Sequence, residues 1–158
     1  MRHRTNMLLV AIVGVVMLAA HPAAAQVRVD SILLTPEQVA RLCVMKIGDL
    51  AERCIASNHE KAVRCVEAIT DLLEAGEVER ARHLAEVCIA ELAEDTRMCM
   101  AQIDQLSTRC ISFLIAHGEY ELARHVHYFS RRAMMAVGNS YLRAVEAIHA
   151  AFETDGAG

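Results

Sequence analysis

Little in this chain interrupts a helix. Only two prolines occur in 158 residues, Pro22 and Pro36, so beyond residue 36 nothing removes a backbone donor or forces the chain out of helical geometry. The apolar–polar alternation of a half-buried strand is missing as well. So are a glycine-rich phosphate loop, a nucleophile elbow, an H-E-x-x-H pair, a dinucleotide glycine fingerprint and a haem-attachment cysteine pair. Those absences argue against an enzyme and give no reason to expect a cofactor. The 16 Lys and Arg are outnumbered by 20 Asp and Glu and form no basic stripe. Nucleic acid and anionic membrane surfaces are therefore poor partners.

What the chain does have is six cysteines in a strict pattern, at 43, 54, 65, 88, 99 and 110. The intervals make a 45-residue repeat and also a mirror, because the sequence numbers of 43 and 110, 54 and 99, and 65 and 88 share one sum. The mirror centre falls on Gly76–Glu77, a signal for a tight helix–helix turn. The N-terminus supplies a compartment in which such cysteines oxidise. Arg2 and Arg4 precede an apolar run from Met7 to Ala20, His21-Pro22 breaks it, and Ala23-Ala24-Ala25 offers a small-residue cleavage site before Gln26. This reads as a secretory signal over residues 1–25, cleaved between Ala25 and Gln26. As a helix the run would span roughly 21 Å, short of a ~30 Å hydrocarbon core, so no stable membrane insertion is expected after cleavage. The predicted mature protein is periplasmic or secreted. It loses two arginines, giving 14 basic against 20 acidic residues and a charge of −6. In an oxidising compartment an even set of cysteines points to disulfides.

The expected fold is all-α: a disulfide-stapled antiparallel bundle of five to six helices built from a duplicated helix pair. A lead (26–34) precedes one helical domain over 35–153, with imperfect repeats at about 41–85 and 86–130 and a tail at 154–158. Thr35-Pro36-Glu37-Gln38 carries the signature of a capped helix start. Ser57-Asn58-His59-Glu60 reads as a second capping box, Glu94-Asp95-Thr96 as a turn, Gly118 as a stop and Gly138-Asn139-Ser140 as a break before a last helix near 141–152. Eleven residues return to within about 20° of the same helix face, so Cys43 and Cys54 share a face, as do Cys99 and Cys110. In an up-down-up-down bundle, residue depths favour Cys43–Cys110 and Cys54–Cys99 between the first and fourth helices, with Cys65–Cys88 inside. A rival set joins Cys54 to Cys65 and Cys88 to Cys99 across local turns.

Three resemblances accompany these readings. Gly118-Glu119-Tyr120-Glu121-Leu122-Ala123 resembles the mid-repeat turn of tetratricopeptide repeats, and the stretch from Gly76 to Ala81 is a second copy. That likeness implies a short helix-hairpin solenoid as the alternative fold, and a peptide- or protein-binding role. Leu34-Thr35-Pro36-Glu37-Gln38 is similar to the signature of small periplasmic proteins of the Spy and CpxP type, which implies envelope-stress chaperoning. The cysteine ladder is similar in logic to the twin-cysteine helical hairpins of mitochondrial assembly factors.

Two groups of residues are candidates for binding. Met98-Cys99-Met100 offers the soft thiolate and thioether ligands of copper(I), the basis of an alternative reading as a metal-binding or storage bundle. Neighbouring positions on a helix diverge by about 100°, however, and no C-x-x-C pair supplies two ligands on one turn, so no metal is assigned. All six aromatics lie beyond residue 112, in the third of the chain that also holds Arg124, Arg131, Arg132 and Arg143. Tyr120, Arg124, Tyr128, Arg131, Arg132 and Tyr141 are accordingly the expected partner surface, for a protein, a peptide or a second copy of the chain. The function expected is non-catalytic: binding a protein or peptide in the cell envelope, or serving as a structural component there.

Overall fold

The computed structural model describes residues 34–153; the expected leader, its cleavage site and the tail lie outside the described residues. Three long helices follow one another: α1 (Pro36–Glu74), α2 (Val78–Ala116) and α3 (Tyr120–Glu153). There is no strand among the described residues, and each helix packs against both others. The all-α expectation holds; the count of five to six helices does not. The helix starts at 36, 78 and 120 are 42 residues apart, so the recurring unit is one long helix and its turn rather than a helix pair.

Both ends of that unit are legible in the backbone. Thr35 caps α1: its Oγ1 accepts from the Gln38 amide at 3.3 Å while the Gln38 side chain accepts from the Thr35 amide at 2.8 Å. Pro36 follows at the first helical position, where its missing N–H costs nothing. Backbone hydrogen bonding at this helix start, with the Thr35 hydroxyl, holds the Glu37 carboxyl below its ordinary range. The two interhelix turns are copies of each other. Gly76 and Gly118 sit at φ +73° and +79°, and the next residue's amide reaches back to Leu72 at 2.8 Å and to Leu114 at 2.9 Å. This closes a helix with a left-handed residue, which glycine adopts without strain.

The three internal breaks expected from the sequence are absent, for a shared reason. Asn58, Thr96 and Ser140 are all buried mid-helix, and the Asn58 amide donates to the Thr96 hydroxyl at 3.1 Å and to the Ser140 hydroxyl at 3.0 Å. The polar residues that resemble a cap, a turn and a break are one hydrogen-bonded layer, each contributed by a different helix. This layer divides the core. On one side lie Ile47, Cys54, Ile103, Leu114, Val126 and Val137; on the other lie Cys65, Ile69, Cys88, Leu92, Ala144 and Ile148. A second polar contact, Ser107 Oγ to Ser130 Oγ at 2.9 Å, links α2 to α3. Every buried side-chain polar atom among the described residues has a partner, the condition under which such layers are tolerated.

Three disulfides cross between α1 and α2: Cys43–Cys110, Cys54–Cys99 and Cys65–Cys88, with Cα–Cα distances of 6.2, 6.1 and 6.3 Å. This is the nested set rather than the local one, but its setting differs from the bundle argument. The cysteines are rungs of a single hairpin, spaced roughly 16.5 Å apart along the axis at 1.5 Å per residue. The mirror in the sequence is the mirror of that hairpin about Gly76. It also accounts for the mismatch between a 42-residue helix unit and a 45-residue cysteine offset, because the cysteines are related by antiparallel pairing rather than by repetition.

Candidate protein-binding surface

Burial on α3 recurs at Ala123, Val126, Ser130, Ala133, Val137, Ser140, Ala144, Ile148 and Ala151, spacings of three and four that keep one stripe against the hairpin. Most of these side chains are small; of the larger residues, Leu122, Phe129, Met134, Tyr141 and Phe152 pack half-buried at the edges of the stripe, and three others face outward. Tyr128, Met135 and Leu142 are 62, 60 and 56 % exposed. Seven residues fall about 20° short of two helical turns, so the three stand in a row opposite the buried stripe. Single exposed apolar residues are ordinary; an aligned row of three is a candidate interaction surface.

The charge around that row is one-sided. Between Glu121 and Glu146 the helix has Arg124, Arg131, Arg132 and Arg143 and no acid, in a chain whose formal charge is −4. Arg124 pairs with Glu121 one turn earlier. Arg131, Arg132 and Arg143 form no ion pair among the described residues. Arg132 instead lies 5.9 Å from the centroid of the Tyr128 ring, within cation–π range. Beside the row, an open groove of about 580 Å³ between α2 and α3 is lined by Met100, Arg131, Met134, Met135, Tyr141 and Leu142. Its floor comes within reach of Gly138, where a Cβ would stand 3.0 Å from the Met100 terminal methyl. A second groove of about 520 Å³ follows the α1–α3 seam past Ile55, His59, Val63, Val66 and Arg143.

Of the six residues expected at a partner surface, Tyr120 and Tyr128 are strongly exposed, and Arg124, Arg131 and Arg132 are exposed beside them. Tyr141 is half-buried and packs against the core cluster around Ile69, Leu92 and Ile148 while lining the groove. The sequence reading missed Met135 and Leu142. Their signal was present as a seven-residue spacing from Tyr128, but methionine is the usual filler of irregular cores.

The soft-metal candidates are not brought together. Cys99 is bonded to Cys54, so its sulfur is a disulfide and not a thiolate. Met98 is 53 % exposed, whereas Met100 turns toward Gly138 on α3. No group of three His, Cys, Asp or Glu side chains suited to a metal occurs among the described residues, and no helix there is long and apolar enough to cross a membrane. Three disulfides fit an oxidising compartment. No protein-family model, curated protein or solved structure matches the chain.

Proposed function

We propose that this protein is an exported, non-catalytic helical scaffold that binds a protein or peptide in the cell envelope through the outer face of α3. The observation that carries the reading is the row of Tyr128, Met135 and Leu142, flanked by Arg131, Arg132 and Arg143, which form no ion pair among the described residues. Aromatic, methionine and arginine side chains are the types enriched at protein interfaces. They sit on a helix that packs along a hairpin cross-linked by three disulfides.

Site-specific photocrosslinking in the native envelope tests this. A photoreactive residue at Tyr128, Met135 or Leu142 should give discrete protein adducts, while one at Glu52 on α1 or Glu86 on α2 should give none. Adducts confined to α1 and α2, or none at any position, would overturn the reading. A thiol count on protein recovered from that compartment should find no free thiol.

A further inference from the structure

We infer that the outer face of α3 is a homodimer seam, on which α3 of a second copy lies antiparallel about a two-fold axis passing Met135. The inference rests on the reading of that face as the binding face and names its occupant.

The argument is one of self-complementarity. A two-fold axis pairs each residue before Met135 with the residue equally far after it, because an isologous contact must satisfy both directions at once. Met135 then meets Met135 of the partner subunit, and Tyr128 meets the partner's Leu142, so all three members of the exposed row cover one another. Arg124 meets the partner's Glu146 and Glu121 meets the partner's His149; both pairs occur twice in the dimer. Arg131 and Arg132, which form no ion pair among the described residues, fall opposite the partner's Asn139 and Gly138. There the partner's Asn139 side-chain carbonyl accepts. The arginine pair also decides orientation. In a parallel dimer the two Arg131–Arg132 pairs would face each other directly, whereas the antiparallel arrangement separates them by about 9–12 Å along the axis. Slipping the seam one heptad toward the N-terminus of α3 sets Arg131 against Arg132 and Glu121 against Leu142. The opposite slip removes the apolar partner of Tyr128.

Sedimentation equilibrium on the full oxidised chain, at ~1–100 µM so that a weak interface would be populated, reads the outcome. The wild type should populate a dimer with concentration. Met135→Glu sets two carboxylates against each other on the axis and should raise the dissociation constant about 100-fold with unchanged helical circular dichroism. Arg124→Glu and Glu146→Arg should each weaken the dimer about tenfold, and the double variant R124E/E146R should restore it, since the swapped charges meet again only in this register. A wild type that stays monomeric, a dimer that survives Met135→Glu, or a double variant weaker than either single would overturn the inference. The photocrosslinks keep the two proposals apart: adducts from α3 at the mass of a different protein, with a monomeric wild type, would refute the homodimer and leave the binding face standing.

Discussion

The α1–α2 hairpin and the α3 helix are held in place by different physics. Across the hairpin, α1 buries three interleaved eleven-residue series: Ala40, Ala51, Ala62; Cys43, Cys54, Cys65; and Ile47, Asn58, Ile69. α2 answers with Ala81, Leu92, Ile103 and Leu114 in one series and its three cysteines in another. An eleven-residue repeat makes 3.67 residues per turn, so each rung returns to nearly the same azimuth with a slight right-handed drift. A ladder of disulfides requires that return. From Ala123 to Ala144, α3 instead steps by three and four in alternation, the seven-residue period with the opposite drift. It has no cysteine, and small side chains and two hydroxyl contacts dock it. Covalent constraint thus occupies one seam of the bundle and close, partly polar packing the other two.

Breaking the sulfur ladder should produce the largest effect. The cross-linked residues are 23, 45 and 67 apart in sequence, and in the chain-entropy account each closure alone contributes about 3–4 kcal/mol. Nesting means that each outer rung closes only the ring between itself and the next, so the three together supply on the order of 10 kcal/mol. That is comparable to the whole stability of an ordinary domain, ~5–15 kcal/mol. Thermal melts followed by circular dichroism should fall by roughly 30 °C on reduction; a shift under about 5 °C would mean that packing alone holds the hairpin. Hydrogen exchange sharpens the contrast. In the oxidised protein α3 amides should open at lower free energy than those of α1 and α2, and reduction should erase the difference.

How much of this was readable beforehand follows from the same contrast. The disulfide partners were legible because a mirror in sequence is what an antiparallel hairpin makes of matched depths, and the turn glycines mark its ends. The helix count was not. Asn58, Thr96 and Ser140 are residue types that cap helices when exposed and form hydrogen-bonded layers when buried, and the letter alone does not say which environment it meets. The overlooked signal was periodicity: the three-four-four spacing continues through Asn58 from Ile47 to Ile69, whereas a true break would have reset it. On the outer face, aromatics and arginines stood out by type. Met135 and Leu142 stood out only once the direction of the core was known.

The polar layer offers the next test, at the junction where hairpin and third helix meet. Asn58→Ala would leave the Thr96 hydroxyl without its partner in the interior and the Ser140 hydroxyl with only its bond to the Val137 carbonyl, at a cost of about 1–3 kcal/mol in denaturant unfolding. Replacing the whole layer by apolar residues of similar shape, as Asn58→Leu with Thr96→Val and Ser140→Ala, should come out neutral or stabilising, because no polar group is then left unpaired. Register is what the triple change would lose, visible as broadened α3 resonances. A triple variant less stable than Asn58→Ala would show that the layer contributes more than satisfied hydrogen bonds.

The smallest effect belongs to the polar clasp on the hairpin. Lys61 on α1 reaches Asp95 at 2.5 Å and Glu91 at 3.3 Å on α2. The Asp95 carboxylate, with Glu91 behind it, raises the Lys61 ammonium above its ordinary value, against the opposing pull of desolvation. A group raised on folding contributes fully below its unfolded pKa, about 10.4, and its contribution disappears as pH climbs through the higher folded value. Both carboxylates are largely exposed, 48 and 60 %, so solvent and salt screen the clasp to under about 1 kcal/mol. Lys61→Met should therefore unfold slightly earlier than wild type in denaturant at pH 7. The gap should narrow at high salt and close as the pH climbs through the raised folded-state value. A gap that stays constant with pH would assign the effect to packing of the lysine stem instead of to its charge. The clasp would then join the hairpin's other contacts as one more instance of close packing beside the disulfides.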